Sequence, residues 1–278
     1  MKQIVLLCFL GTTFLVTAQA LRFENNLSNA FEKAKHENKP VFIEYYNSDC
    51  PVCMKVGKLF ESNEKLVSIY SKSFINYRID TYAMSKSDSM FIVNTKLSFT
   101  SIPYFLFFDS NANLLHVSAI NVDADVMIRI GATALNPNER DSGLATKYSR
   151  GDRSIKTLYA YSQLVKLYNN DSLTTVLADD LYKSFPKNDI GNKKSYTITK
   201  NCVNSIENGF FKYWINHMDK LDEFESEKHK GEGKEMLGEI VRKSVFSKSS
   251  KSWNQEKITE VKKYILLTGL SKTPDAFF

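Results

Sequence analysis

Val41-Phe42-Ile43-Glu44-Tyr45-Tyr46-Asn47-Ser48-Asp49-Cys50-Pro51-Val52-Cys53 decides how this chain is read. Residues 41–46 are apolar and aromatic around a single acid, the composition of a strand in a packed sheet. Two cysteines separated by two residues follow, and Met54, Val56, Leu59 and Phe60 continue at helical spacing. A thiol at the start of a helix meets the positive end of the helix dipole, which favours its thiolate. That thiolate is the nucleophile of disulfide exchange. Strand, C-x-x-C and helix therefore form a redox site that still needs a compartment and a fold.

The first twenty residues address the compartment. Lys2 precedes a largely apolar run, Ile4 to Val16, and Ala18-Gln19-Ala20 has the small-x-small form of a leader cleavage site. The expectation is a signal peptide over residues 1–20 and export, most simply to the periplasm of a Gram-negative bacterium. The run is shorter than the ~20 residues needed to span a bilayer. A mature chain starting at Leu21 has no later transmembrane segment. Cys8 leaves with the leader, so Cys50, Cys53 and Cys202 remain, too few for a disulfide scaffold. Cys202, within a helical pattern, reads as a small buried apolar residue.

Outward from the redox stretch, the elements alternate. Arg22 to Asn38 carries Phe23, Leu27, Ala30, Phe31 and Ala34 at helical spacing and ends at Asn38-Lys39-Pro40. Residues 63–71 read as a short helix, 74–80 as a second strand, and 88–94 as a further helix. Ser101-Ile102-Pro103 introduces a third strand, Tyr104 to Phe108. The turn cluster 109–113 leads into a fourth strand over 114–119, and Asp123 is placed to cap a helix running to Leu135. Asn136 to Arg153 breaks the pattern and reads as a linker over 137–153. Residues 154–278 read as an all-α domain, with apolar faces at 155–167, 173–182, 198–215, 236–245 and 258–267. Gly231-Glu232-Gly233, in a charged stretch, reads as a linker.

The segment from Phe23 to Leu135 resembles the thioredoxin family. The matching features are the cysteine pair behind the first strand, Glu44 six residues before Cys50, and Ile102-Pro103 before the late hairpin. The resemblance implies an α/β fold, a central mixed sheet flanked by helices, over residues 21–136. It implies an attacking Cys50, a resolving Cys53 able to close a Cys50–Cys53 disulfide, and a buried Glu44 that takes the Cys53 proton. Pro51, Val52, Ile102, Pro103 and Tyr104 would line the substrate groove, with Pro103 in the cis form and shielding the thiols from metal. The whole chain is similar to secreted bacterial thioredoxin-like proteins with a helical extension. The expected activity is thiol–disulfide exchange with protein thiols or disulfides, without a cofactor. In an oxidising compartment a reduced pair needs a reductant, for which a membrane-bound redox partner is one source.

The sequence departs from the family pattern in four places, one of them Met54, which stands after Cys53 where a basic residue is frequent and precedes Lys55. Asp49 stands where a tryptophan is common, and its carboxylate disfavours a thiolate on Cys50. The intervening dipeptide is Pro-Val, so no redox potential transfers. Tyr104 occupies a position where a small residue is usual. A second reading, a thioredoxin-fold binding module that uses its helical domain and performs no chemistry, follows from these departures and from the long extension.

Other classes have little support. The net charge of +6 is spread along the chain without the basic stripe of a nucleic-acid binder. His36, His116, His217 and His229 have no metal-ligand spacing to the cysteines, and there is no glycine-rich phosphate loop.

Overall fold

The computed structural model describes residues 20–278 apart from Thr100 and Asn121, so the expected leader lies outside the described residues. The first eight regular elements alternate as the sequence pattern predicts. They are α1 (Leu27–Glu37), β1 (Val41–Tyr46), α2 (Pro51–Ser62), α3 (Glu64–Ser73), β2 (Ile75–Asp80), α4 (Lys86–Thr95), β3 (Tyr104–Phe108) and β4 (Leu114–Ala119). The strands form one sheet in the order β2-β1-β3-β4. β1 runs parallel to β2, with Glu44 opposite Arg78, and antiparallel to β3, with Glu44 opposite Phe105. The sheet is therefore mixed, and the strand that delivers the cysteines is central.

Two compact units divide these residues. The first contains the described residues up to Ser85 with Ile102–Asn113 and Ser118–Ala132; the second contains Lys86–Ser101, Leu114–Val117 and Thr133–Phe278.

In the first unit an aromatic core sits under α2 and α3. Phe42 meets the rings of Phe60, Tyr70, Phe105 and Phe107 at centroid distances of 5.8, 4.8, 4.7 and 5.3 Å. Each fully buried phenylalanine contributes roughly 1.5–3 kcal/mol over its exposed form. Leu21 at the start of the unit donates its N–H to the Phe60 carbonyl, which fixes the end of α2. The turn after β3 is held by Asp109, whose Oδ1 accepts the N–H groups of Asn111 and Asn113. α5 (Ala124–Leu135) begins at Asp123, whose carboxylate accepts the Val126 N–H at 2.9 Å, the cap that the sequence suggests.

The second unit is mostly helical. It holds α6 (Leu144–Ser149), α7 (Ile155–Leu167), α8 (Asp171–Ser184), α9 (Lys193–Cys202), α10 (Gly209–Ile215), α11 (Glu232–Val245) and α12 (Gln255–Thr268). One core runs through it, including Leu158, Leu177, Phe210, Phe211, Trp214, Leu237, Val241 and Ile265. Residues 137–153 contain the 3-10 turn Asp141–Gly143 and α6. Buried Asp141 accepts the Val117 N–H at 2.8 Å and faces His116 Nδ1 at 2.7 Å.

Two sequence expectations are corrected here. The apolar face at 198–215 is two helices, α9 and α10, because Asn208 turns inward and caps the second through the Phe210 N–H. Its amide also donates to Asp179 at 2.8 Å, so this polar side chain is satisfied although it is buried. Gly231-Glu232-Gly233 is the start of α11 rather than a linker. Gly231 has φ +92°, a left-handed conformation suited to glycine, and a Cβ on Gly233 would lie 3.0 Å from that of Leu221. Among the described residues no helix is long and apolar enough to cross a membrane.

Candidate active site

α2 begins one residue after Cys50. Cys50 is its N-cap, and Pro51 fills the first helical position, where a missing N–H costs nothing. The Cys53 N–H donates to Cys50 Sγ at 3.2 Å. An N-cap side chain accepts an N–H from the second or third helical residue, and the two-residue spacer puts Cys53 at the third. Both are free thiols here, with Cys50 half-buried and Cys53 buried.

The environment separates the two thiols. Burial pushes Cys50 upward, but hydrogen bonds from the Cys53 thiol and from the Cys53 and Val52 N–H groups outweigh it and hold Cys50 below the ordinary thiol value. Burial pushes Cys53 up to about 12, assisted by its hydrogen bond to Cys50 and by the charges of Cys50 and Glu44. Asp49 was expected to oppose the Cys50 thiolate. Its side chain is exposed, and the donors around Cys50 Sγ decide the outcome instead. Alkylation of the reduced native protein should therefore modify Cys50 first, at a rate that rises with pH through a midpoint below the usual thiol range. Cys53 should remain unmodified at those pH values. Cys202, buried and raised to about 11, should react only on unfolding. Peptide mass spectrometry after a short iodoacetamide pulse reads all three.

Glu44 is 1% exposed, in the middle of β1. Its Oε2 accepts from Arg78 Nε at 2.7 Å, while Oε1 is buried without a hydrogen-bond partner. Burial raises the carboxyl, and the charge and hydrogen bond of Arg78 only partly offset that rise. Arg78 is itself positioned by aromatic faces, 4.0 Å from the Phe23 ring centroid and 5.5 Å from that of Tyr46. The carboxylate thus has one oxygen anchored and one unoccupied, with its field reaching Cys53. That arrangement suits a group that accepts a proton.

The remaining expected residues divide by exposure. Val52 is 41% exposed and Pro51 is exposed, so both are open to a substrate, as is Met54. The Ile102–Pro103 peptide bond is cis. Ile102 is half-buried and Pro103 buried. Tyr104, the first residue of β3, is buried as Pro103 is. The residue that sequence reasoning missed is Arg78. Its only signal was a charge within the alternating run 75–80, and the pairing with Glu44 arises from the parallel register.

Residues 22–110 match a family model described as thioredoxin-like. No curated protein matches the chain. Among solved structures, the chain is similar to the solution structure of a candidate disulphide isomerase from Bacteroides thetaiotaomicron. Identity is 16%, the TM-score is 0.38, and the match covers 43% of this chain and 97% of that one. It is also similar to the crystal structure of a disulphide isomerase from Xylella fastidiosa Temecula1, at 14% identity and a TM-score of 0.30, over 40% of this chain and 96% of that one. The family match takes in β1, the cysteine helix and β3 up to the turn that follows it, and over these residues the chain is a thioredoxin-like domain.

Proposed function

We propose that this protein is a thiol–disulfide oxidoreductase whose reactive group is the Cys50–Cys53 pair. The observation that carries the reading is the opposed acidity of the two thiols, Cys50 lowered at the N-cap and Cys53 raised to about 12 one turn into the helix. A thiolate is then present where substrate can reach it and a protonated thiol is held behind it. The Cys50 thiolate attacks one sulfur of a substrate disulfide. The substrate S–S bond breaks, its other sulfur leaves as a thiolate, and a mixed disulfide joins substrate to Cys50. Cys53 then gives up its proton and attacks Cys50 Sγ. The Cys50–Cys53 bond forms, the second substrate sulfur leaves, and two electrons have passed to the substrate. In reverse, the oxidised pair donates its disulfide.

Glu44 has the burial and the unoccupied oxygen to take the Cys53 proton, with Arg78 as the residue that positions it. Val52 and the Ile102-Pro103 segment are proposed to receive the substrate chain. Export to an oxidising compartment is part of the proposal and rests on the leader-like residues 1–20.

Two measurements test this assignment. Cys53→Ser, mixed with a disulfide-bonded peptide, should accumulate a covalent adduct at Cys50. No adduct, or an adduct at Cys202, would overturn the assignment. Glu44→Gln should leave adduct formation unchanged but slow its resolution by about 10²-fold, the usual contribution of a positioned base. If resolution is unchanged across pH, Glu44 is not the base.

A further inference from the structure

Asn47-Ser48-Asp49 carries the chain from β1 to Cys50, and each backbone N–H of this loop has an acceptor. The Asn47 N–H donates to the Cys53 sulfur. The Ser48 N–H donates to Asp80 Oδ1 at 3.3 Å, and the Asp49 N–H to Asn47 Oδ1 at 2.8 Å. The Cys50 N–H closes the loop on the Asn47 carbonyl at 3.2 Å. Of these acceptors Asp80 alone comes from a distant part of the sequence. It is the last residue of β2, opposite Tyr46 in the parallel register.

The same Asp80 oxygen accepts the Tyr82 N–H at 3.0 Å. A side chain that bonds the N–H two residues ahead shapes a turn. Within that turn the Thr81 N–H donates to the Tyr46 carbonyl at 2.8 Å. The Tyr46 carbonyl and the Asn47 N–H belong to one peptide unit, which is planar. Thr81 therefore holds one end of the plane whose other end faces Cys53, and the Ser48 bond to Asp80 holds the next residue. The Asn47 N–H opposes the effect of burial on the Cys53 sulfur. A hydrogen bond to an ionised group is stronger than one to a neutral group, so this donor contributes most when Cys53 carries a full negative charge.

We infer that Asp80 is a positioning residue for the second step of the exchange: it fixes the peptide plane whose N–H, on Asn47, stabilises the Cys53 thiolate as it attacks Cys50 Sγ. The inference rests on the thiol–disulfide reading. In that step Cys53 loses its proton to Glu44, its sulfur bonds to Cys50 Sγ, and the substrate sulfur leaves with the electron pair of the mixed disulfide. The Asn47 N–H keeps its hydrogen throughout. Asp80 acts as an acceptor of two N–H groups, a role that an asparagine oxygen also fills.

The test separates the two steps with a disulfide-bonded peptide, acid quenching and mass spectrometry of the full chain. Asp80→Ala should form the adduct at Cys50 within about twofold of the normal rate, read in the Cys53→Ser background. With Cys53 present, the same substitution should slow resolution of the adduct by about tenfold, the loss of one hydrogen bond to a charged sulfur. Asp80→Asn should restore resolution to within about twofold of wild type. If Asp80→Ala does not fold, Asn47→Ala, which removes the other side chain holding the loop, should show the same selective slowing. Resolution unchanged in the alanine variant, both steps slowed equally, or an asparagine variant as slow as the alanine one would overturn the inference while leaving the redox reading intact. Absence of any adduct in Cys53→Ser alone would overturn both.

Discussion

Cys50→Ser should lower the rate of peptide-disulfide reduction by about 10³-fold or more, the loss expected when the nucleophile of a covalent step is removed. The size of the effect follows from the geometry. Cys53 is buried and raised to about 12, so it has almost no thiolate at neutral pH with which to replace Cys50. Cys202 lies in the helical core and is likewise held protonated by burial. A serine at position 50 can still cap α2, since its hydroxyl accepts the residue-53 N–H as well as sulfur does. Fold and thermal midpoint should therefore be nearly unchanged while activity is lost. Steady-state turnover with a thiol reductant, measured beside circular dichroism, separates the two. A variant retaining more than a tenth of the wild-type rate would place the chemistry elsewhere.

Arg78→Ala should destabilise the protein by about 3 kcal/mol at neutral pH, the lower end of the cost of breaking a buried ion pair. The lower end applies because the Arg78 side chain is 32% exposed while Glu44 is 1% exposed. The loss falls on the carboxylate, which keeps its burial and loses its counter-charge. Burial already holds the Glu44 carboxyl above its ordinary value in the folded protein, and Arg78 restrains that rise. A carboxyl raised on folding contributes stability that is fully present below its unfolded pKa and is lost as pH rises through its folded one. Without Arg78 the folded value rises further, so the penalty at neutral pH grows. The deficit of Arg78→Ala should therefore shrink as pH falls from 7 towards the ordinary carboxyl range. Adding Glu44→Gln to Arg78→Ala should recover most of the loss at pH 7. Urea unfolding of the three variants at pH 5 and pH 7 reads this directly. A pH-independent deficit would mean that Arg78 acts through its packing on Phe23 and Tyr46 rather than through the charge of Glu44.

The parts of the site that sequence disclosed are those set by short-range rules. The cysteine spacing, Pro51 at a helix start and the strand before them are local, and each lies where the pattern puts it. The Asp123 cap of α5 is local in the same way, its carboxylate accepting the Val126 N–H. What escaped depends on which strands pair and in what register. Arg78 is 34 residues from Glu44, and only the β1–β2 pairing brings them together. The break between α9 and α10 escaped for a related reason. The apolar period continues across it, and the buried partner that makes Asn208 a cap, Asp179, lies in another helix.

The central claim is that Cys50 and Cys53 form a reversible redox couple in the folded protein. Equilibration of the native chain across glutathione buffers of graded potential, with acid quenching, thiol alkylation and peptide mass spectrometry, tests it most directly. The predicted result is a single two-electron transition in which the peptides carrying Cys50 and Cys53 become linked, with Cys202 a free thiol on both sides. If both cysteines remain free thiols in the most oxidising buffer, or if Cys202 is the residue that pairs, the account is contradicted.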